Sequence, residues 1–230
     1  MQQITTVTFF KLKTIAHRFW AFQQMGIGGR HFKNIEGLEF MKMMGTGAGE
    51  GFSWRPDFSV YCFMMVWKSV DTAQAFFHEN AYVQAWQNRS QEQVTLFLQP
   101  NQVKGEWDGK QPFEMTKNAD EQKRLVVLTR ATINNNRLIE FWKHVPQTSR
   151  AIAQAKGVLF LKGVGELPWI QQATISIWEN KAAMRAYAYE NPAHREVIKK
   201  TYARNWYSEE MFAEFSLMKT EGTWKGIELL

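Results

Sequence analysis

The feature that most limits what this chain can fold into is that it is written twice. Phe19-Trp20 is matched by Phe141-Trp142, Gly37-Leu38-Glu39-Phe40-Met41-Lys42 by Gly157-Val158-Leu159-Phe160-Leu161-Lys162, and Val66-Trp67 by Ile177-Trp178. The order is kept, with offsets of 122, 120 and 111, and Glu79-Asn80 meets Glu190-Asn191 at the same 111. A slip of nine falls between Gly45 and Phe58, where the first half has a long glycine-rich stretch and the second only Gly165 to Trp169. Self-similarity at so long a period means two copies of one supersecondary unit, each able to bury what the other leaves bare.

Within each copy the local patterns run in one order. Val7 to Lys13 and Leu125 to Ile133 are short runs of β-branched and aromatic residues, as strands require. Ile15, Phe19 and Phe22, and then Leu138, Phe141, Trp142 and Val145, recur at helical spacing. Two strands follow in each half, Leu38 to Met44 with Phe58 to Trp67, and Val158 to Val164 with Ala173 to Trp178. A second helix is expected over 71–92 and over 180–209, broken near Asn80 and Asn191, and a last strand over 94–98 and 212–218. The order βαββαβ is the ferredoxin-like motif, whose helices cover one face of a four-stranded antiparallel sheet. Two such units packed sheet to sheet cover the other face. The expected fold is α+β: tandem ferredoxin-like repeats forming a dimeric α+β barrel within one chain. The repeats span 1–113 and 114–230, and the Gly-, Pro- and charge-rich stretch 100–124 connects them.

With 230 residues, 45% of them hydrophobic and 14% aromatic, the chain can build a sizeable core, and disorder is excluded. Cys62 is the only cysteine, so no intrachain disulfide can form, and a cytoplasmic protein is expected. The start of the chain lacks a basic segment leading into an apolar one, and no apolar run reaches the length of a membrane span. A net charge of +6 permits peripheral contact with an anionic membrane surface, but the basic residues are scattered and do not form blocks, so no nucleic-acid partner is expected. The glycines from Gly45 to Gly51 do not fit G-x-G-x-x-G and lead into a strand, where a phosphate site needs a helix. They read as a long hairpin loop, or else as a lid over a ligand. P-loop, zincin and zinc-ribbon spacings are absent.

His17, His31, His78 and His144 sit beside charged residues and read as surface or half-buried polar groups. His194 differs. Asn191 and Pro192 make a good N-cap and first helical residue, so His194 falls in a first turn, on one face with Val197, Ile198 and Thr201. The helix N-terminus disfavours the imidazolium, and a neutral ring can ligate iron; a hydrogen-bonded core histidine is the other reading. Three cations lie in strands. Lys42 and Lys162 hold equivalent places in the repeat between apolar neighbours, and Arg130 lies in Leu128-Thr129-Arg130-Ala131-Thr132. A charge aimed into a barrel needs a protein partner or a ligand, unless it reaches solvent at the sheet rim.

The strings Gly45 to Phe52, Leu128 to Ile133, Phe141-Trp142-Lys143-His144-Val145-Pro146, Lys162 to Pro168 and Ser176-Ile177-Trp178 resemble the spheroidene monooxygenase family over nearly the whole chain. The resemblance implies a haem-dependent oxidoreductase that introduces a keto group into an acyclic carotenoid or similar hydrophobic small-molecule substrate, using O₂ and a ferredoxin-type electron donor. It implies haem b with His194 as the iron ligand, where the family's Pro-His pair meets Pro192-Ala193-His194. Arg130 and Lys162 become candidates for catalytic, distal or propionate-binding charges. Two rivals are a haem enzyme acting on an N–O bond, as aldoxime dehydratases do, and a non-catalytic barrel that binds a hydrophobic ligand.

Overall fold

The computed structural model describes residues 2–49, 51, 53–116, 123–190 and 192–225, apart from the side chains of Glu190 and 192–194. The elements are β1 (Ile4–Leu12), α1 (Ile15–Ile27), β2 (Leu38–Gly47), β3 (Pro56–Trp67), α2 (Val70–Glu79), α3 (Ala81–Arg89) and β4 (Ser90–Gly105). The second half repeats them as β5 (Leu125–Ile133), α4 (Leu138–Ala153), β6 (Val158–Gly165), β7 (Gln171–Trp178), α5 (Lys181–Glu190), α6 (Pro192–Arg204) and β8 (Tyr207–Gly222). The strands close into an antiparallel barrel in the order β1-β3-β2-β6-β7-β5-β8-β4.

Alternation along the strands sorts residues between two cores. Val7 and Phe9 of β1 point into the barrel, where they join Met64, Leu96, Leu128, Ile175 and Phe215; Phe10 and Leu12 point outward under the helices. Both faces are buried, which is why these strands are apolar nearly throughout. Thr14 caps α1 by accepting the His17 N–H, Ser69 caps α2, and Asn80 both ends α2 and caps α3 through its Oδ1, as its position between two helical runs predicts.

Two boundaries differ from expectation. β4 continues to Gly105 and takes in the start of the expected connector. β8 begins at Tyr207, inside the expected second helix. β4 and β8 pair with each other from Val94↔Gly222 to Gly105↔Met211 and seal one of the two seams between the halves, while the start of β8 pairs with β5. Pro100, which cannot donate to a ladder, sits at a register shift in this pairing. The other seam, β2 against β6, is short, and the glycine-rich segment reinforces it. Lys162 Nζ donates to the Gly47 and Gly49 carbonyls at 2.9 Å each, and Gly163 N donates to the Gly51 carbonyl at 3.0 Å. The segment expected as a hairpin loop or a lid is thus docked on the second half at each of these carbonyls.

Candidate functional site

The three strand cations all point into the barrel. Arg130, whose side chain is 1% exposed, pairs with Glu209 of β8 and approaches Asp108 at 3.4 Å and Glu166 at 4.0 Å. Lys42 pairs with Asp108 and Glu166. Trp107 closes this mouth of the barrel: its indole N–H donates to Glu166 at 2.7 Å, and Lys42 and Arg130 lie over its ring at 5.8 and 5.4 Å. Burial opposes ionisation of Glu209, but the Gly109 N–H and the Arg130 guanidinium outweigh it and hold the carboxyl below its usual range. Lys162 of β6 lies instead 3.6 Å from Asp57 and is bonded to the glycine-rich segment. The structure therefore brings Arg130 and Lys42 together and leaves Lys162 apart. The barrel interior around them is a packed core with Phe9, Trp107, Phe160, Phe215 and Trp224 in one cluster.

Between sheet and helices the halves differ. In the first half a transverse row of paired outward residues runs Met43, Phe63, Thr8, Thr95 across β2, β3, β1 and β4. Trp86 of α3 lies on Phe63 with ring centroids 4.8 Å apart, and Thr8 and Thr95 hydroxyls bond at 3.0 Å. The result is one continuous cluster of fifteen buried residues among those described. In the second half the corresponding row is Gly163, Thr174, Thr129, Phe212 across β6, β7, β5 and β8. Here Gly163 replaces Met43, Thr174 replaces Phe63, and Val197 holds the repeat place of Trp86.

Two large side chains of the row have given way to small ones, Thr129 matches Thr8 and Phe212 stands in the place of Thr95, and the apolar packing separates in two. Leu125, Val127, Trp178, Met184 and Tyr187 form one cluster, and Ile133, Phe141, Val145 and Trp206 another. Between them Thr129 is exposed, although it lies in mid-strand between β7 and β8. Thr174 beside it is half-buried and Gly163 is buried, so solvent reaches the sheet centre at the two threonines, which floor a cleft between the two apolar clusters. The charged Glu214 on this face of β8 is buried and lies 2.8 Å from Lys181 Nζ of α5. Burial pushes the Tyr187 phenol at the cleft wall well up, so it stays neutral.

The His194 side chain lies outside the described residues. Its repeat counterpart at offset 111 is Val83, whose side chain is buried against the first half's sheet. Arg130 and Lys162 face the barrel interior, whereas Thr129 faces the helices, so these cations and the cleft lie on opposite sides of one sheet. Sequence reasoning did not find the cleft. The visible trace was the substitution of Met43 and Phe63 by Gly163 and Thr174 within otherwise matching repeats.

Among the described residues no group of three His, Cys, Asp or Glu converges as a metal site, and no helix is long and apolar enough to cross a membrane. No family model matches the chain. Among solved structures, an aldoxime dehydratase in complex with butyraldoxime covers 95% of this chain and 80% of its own with a TM-score of 0.61 at 10% identity. A second aldoxime dehydratase has a TM-score of 0.55 at 12% identity, covering 95% and 82%; both likenesses are of fold alone. Curated relatives reach further. A protein of Cereibacter sphaeroides is 36% identical over 97% of this chain and 69% of its own length, and one of Rhodobacter capsulatus 30% identical over 97% and 93%. A third, of Rubrivivax gelatinosus, is 30% identical over 92% and 81%. An α+β barrel with such relatives is an oxidoreductase of the monooxygenase class. All three relatives bear the name spheroidene monooxygenase, and the chain belongs to the spheroidene monooxygenase family.

Proposed function

We propose that this protein is a haem-dependent monooxygenase that introduces a keto group into an acyclic carotenoid, or a similar long apolar molecule, with electrons from a ferredoxin-type donor. The observation that carries the reading is the cleft over Thr129, present in one half of a duplicated chain and filled in the other. A floor of Thr174 and Thr129 between apolar walls suits a flat, largely apolar macrocycle. The haem, when bound, supplies an iron centre at which O₂ is activated. His194 would hold the iron through its imidazole, from α6, whose repeat counterpart α3 directs Val83 toward the sheet.

The chain's own part is to hold and to exclude. Trp178, Tyr187, Phe141 and Val145 keep water from the cleft walls, and the neutral Tyr187 phenol adds no charge there. Arg130 and Lys162 are proposed as positioning residues. Arg130 is adjacent to Thr129 and fixes β5 against β8 through Glu209, and Lys162 is adjacent to Gly163 and fixes β6 to the glycine-rich segment. In this reading the two halves are tandem ferredoxin-like repeats, of which the first is a filled scaffold and the second the working half. Hemin titration tests the proposal: a stoichiometric Soret band is expected, lost in His194→Ala, and product analysis with acyclic carotenoids against aldoximes tests the substrate class. Failure of the intact protein to take up hemin in a fixed ratio would remove the haem reading.

A further inference from the structure

Residues 1–35 carry Lys11, Lys13, Arg18, Arg30 and Lys33 and no acid; the first is Glu36. Five of the chain's six net positive charges are thus matched by a stretch of pure cations. By number the basic residues are scattered, but this stretch of sequence holds no acid; in space Lys11 meets Glu92 at 3.5 Å. Helix α1 lies within this stretch and is apolar on both sides. Its inner side buries Ala21 beside the half-buried Trp20 and Met25, and its outer side presents Ile15, Phe19 and Phe22, spaced by four and three and exposed by 81%, 63% and 54%. Phe58 at the start of β3 extends this ridge, with its ring 5.6 Å from that of Phe22. The neighbouring acid, Asp57, is turned to Lys162. Lys13, Arg30 and Lys33 are exposed at the two ends of the helix.

We propose that the outer face of α1, with Phe58, docks on an anionic lipid surface. Aromatic and aliphatic side chains on an amphipathic helix bury themselves at the headgroup boundary, and cations flanking them hold anionic headgroups. Charge decides among occupants. A second copy of the chain meeting this face across a two-fold axis would set two acid-free cationic stretches against each other. A nucleic acid would leave the apolar ridge without a partner. The proposal rests on α1 and its charges, so a failed hemin titration would leave it standing.

Flotation of the full chain with vesicles tests it, using phosphatidylcholine alone or mixed with phosphatidylglycerol. Binding to the mixed vesicles is expected, weaker binding to the neutral ones, and loss of the difference at high salt. Phe19→Gln with Phe22→Gln should weaken partition at least about tenfold without lowering the melting temperature. Arg30→Gln with Lys33→Gln should reduce the preference for phosphatidylglycerol. If the double phenylalanine variant does not fold, Ile15→Gln takes its place. The proposal is overturned if the protein stays out of the mixed vesicles, or binds them equally well without the ridge. It is overturned equally by a stable dimer in sedimentation velocity that dissociates in F19Q/F22Q, since the face would then belong to a second copy.

Discussion

Arg130 shows how one residue keeps a full charge inside an apolar barrel. Its guanidinium has Glu209, Asp108 and Glu166 around it and Trp107 beneath it, and the three acids come from a strand, a turn and a loop far apart in sequence. Replacing it by Met should cost about 2–3 kcal/mol in urea unfolding, less than for a fully enclosed pair because the carboxylates keep some solvent. Glu209 has a lowered folded pKa, so its contribution is fully present above the unfolded value near 4.5 and is lost as pH falls through the lower folded value. Glu209→Gln should therefore flatten the acid limb of a stability-against-pH curve; an unchanged limb would show that Glu209 is not coupled to folding. Cys62, fully buried in the barrel with its thiol pushed well up by desolvation, should react with thiol reagents only at the rate of global opening. The cations were legible in the sequence because each interrupts an apolar strand pattern. Their partners were not, because nothing local marks Asp108, Glu166 or Glu209 as facing a barrel mouth.

Among the elements, the strands and the helix break at Asn80 followed directly from β-branched runs and capping chemistry. The misplaced boundaries, at β4 and β8, lie where long-range pairing extends a strand through residues whose local preference is otherwise. The cleft belongs to this scale too, since it arises from the contrast between α3, whose Trp86 lies on Phe63, and α6, which has Val197 in that place. Trp86→Val, which gives the first half the residue found at position 197, should cost about 3 kcal/mol or more and lower the melting temperature by roughly 6–12 °C. Thr174→Phe, which gives the second half the counterpart of Phe63, should abolish hemin uptake with no fall in melting temperature. A variant that binds hemin normally would show that the row Gly163-Thr174-Thr129 is not where the group sits.

At the scale of the whole molecule, the halves share one barrel core, with residues from β1 to β4 and β5 to β8 in a single cluster. Calorimetry should accordingly show one cooperative transition, and residues 1–113 expressed alone should fail to give a dispersed, folded spectrum, because the fragment leaves an apolar sheet face and two strand edges bare. Separate transitions for the two repeats would contradict a shared core. The sequence by itself carried the repeated motifs, the strand and helix order of each half, the strands that bear charge and, through its motifs, the family. It could do so because periodicity, capping and repetition are local or linear properties. Only the tertiary structure decided that the cations are latched to acids from distant segments, that the glycine-rich segment is docked on the opposite half, and that one half is filled while the other is open. Those outcomes depend on which side chains meet across a sheet or under a helix, and a gap is defined by neighbours that are far apart in the chain.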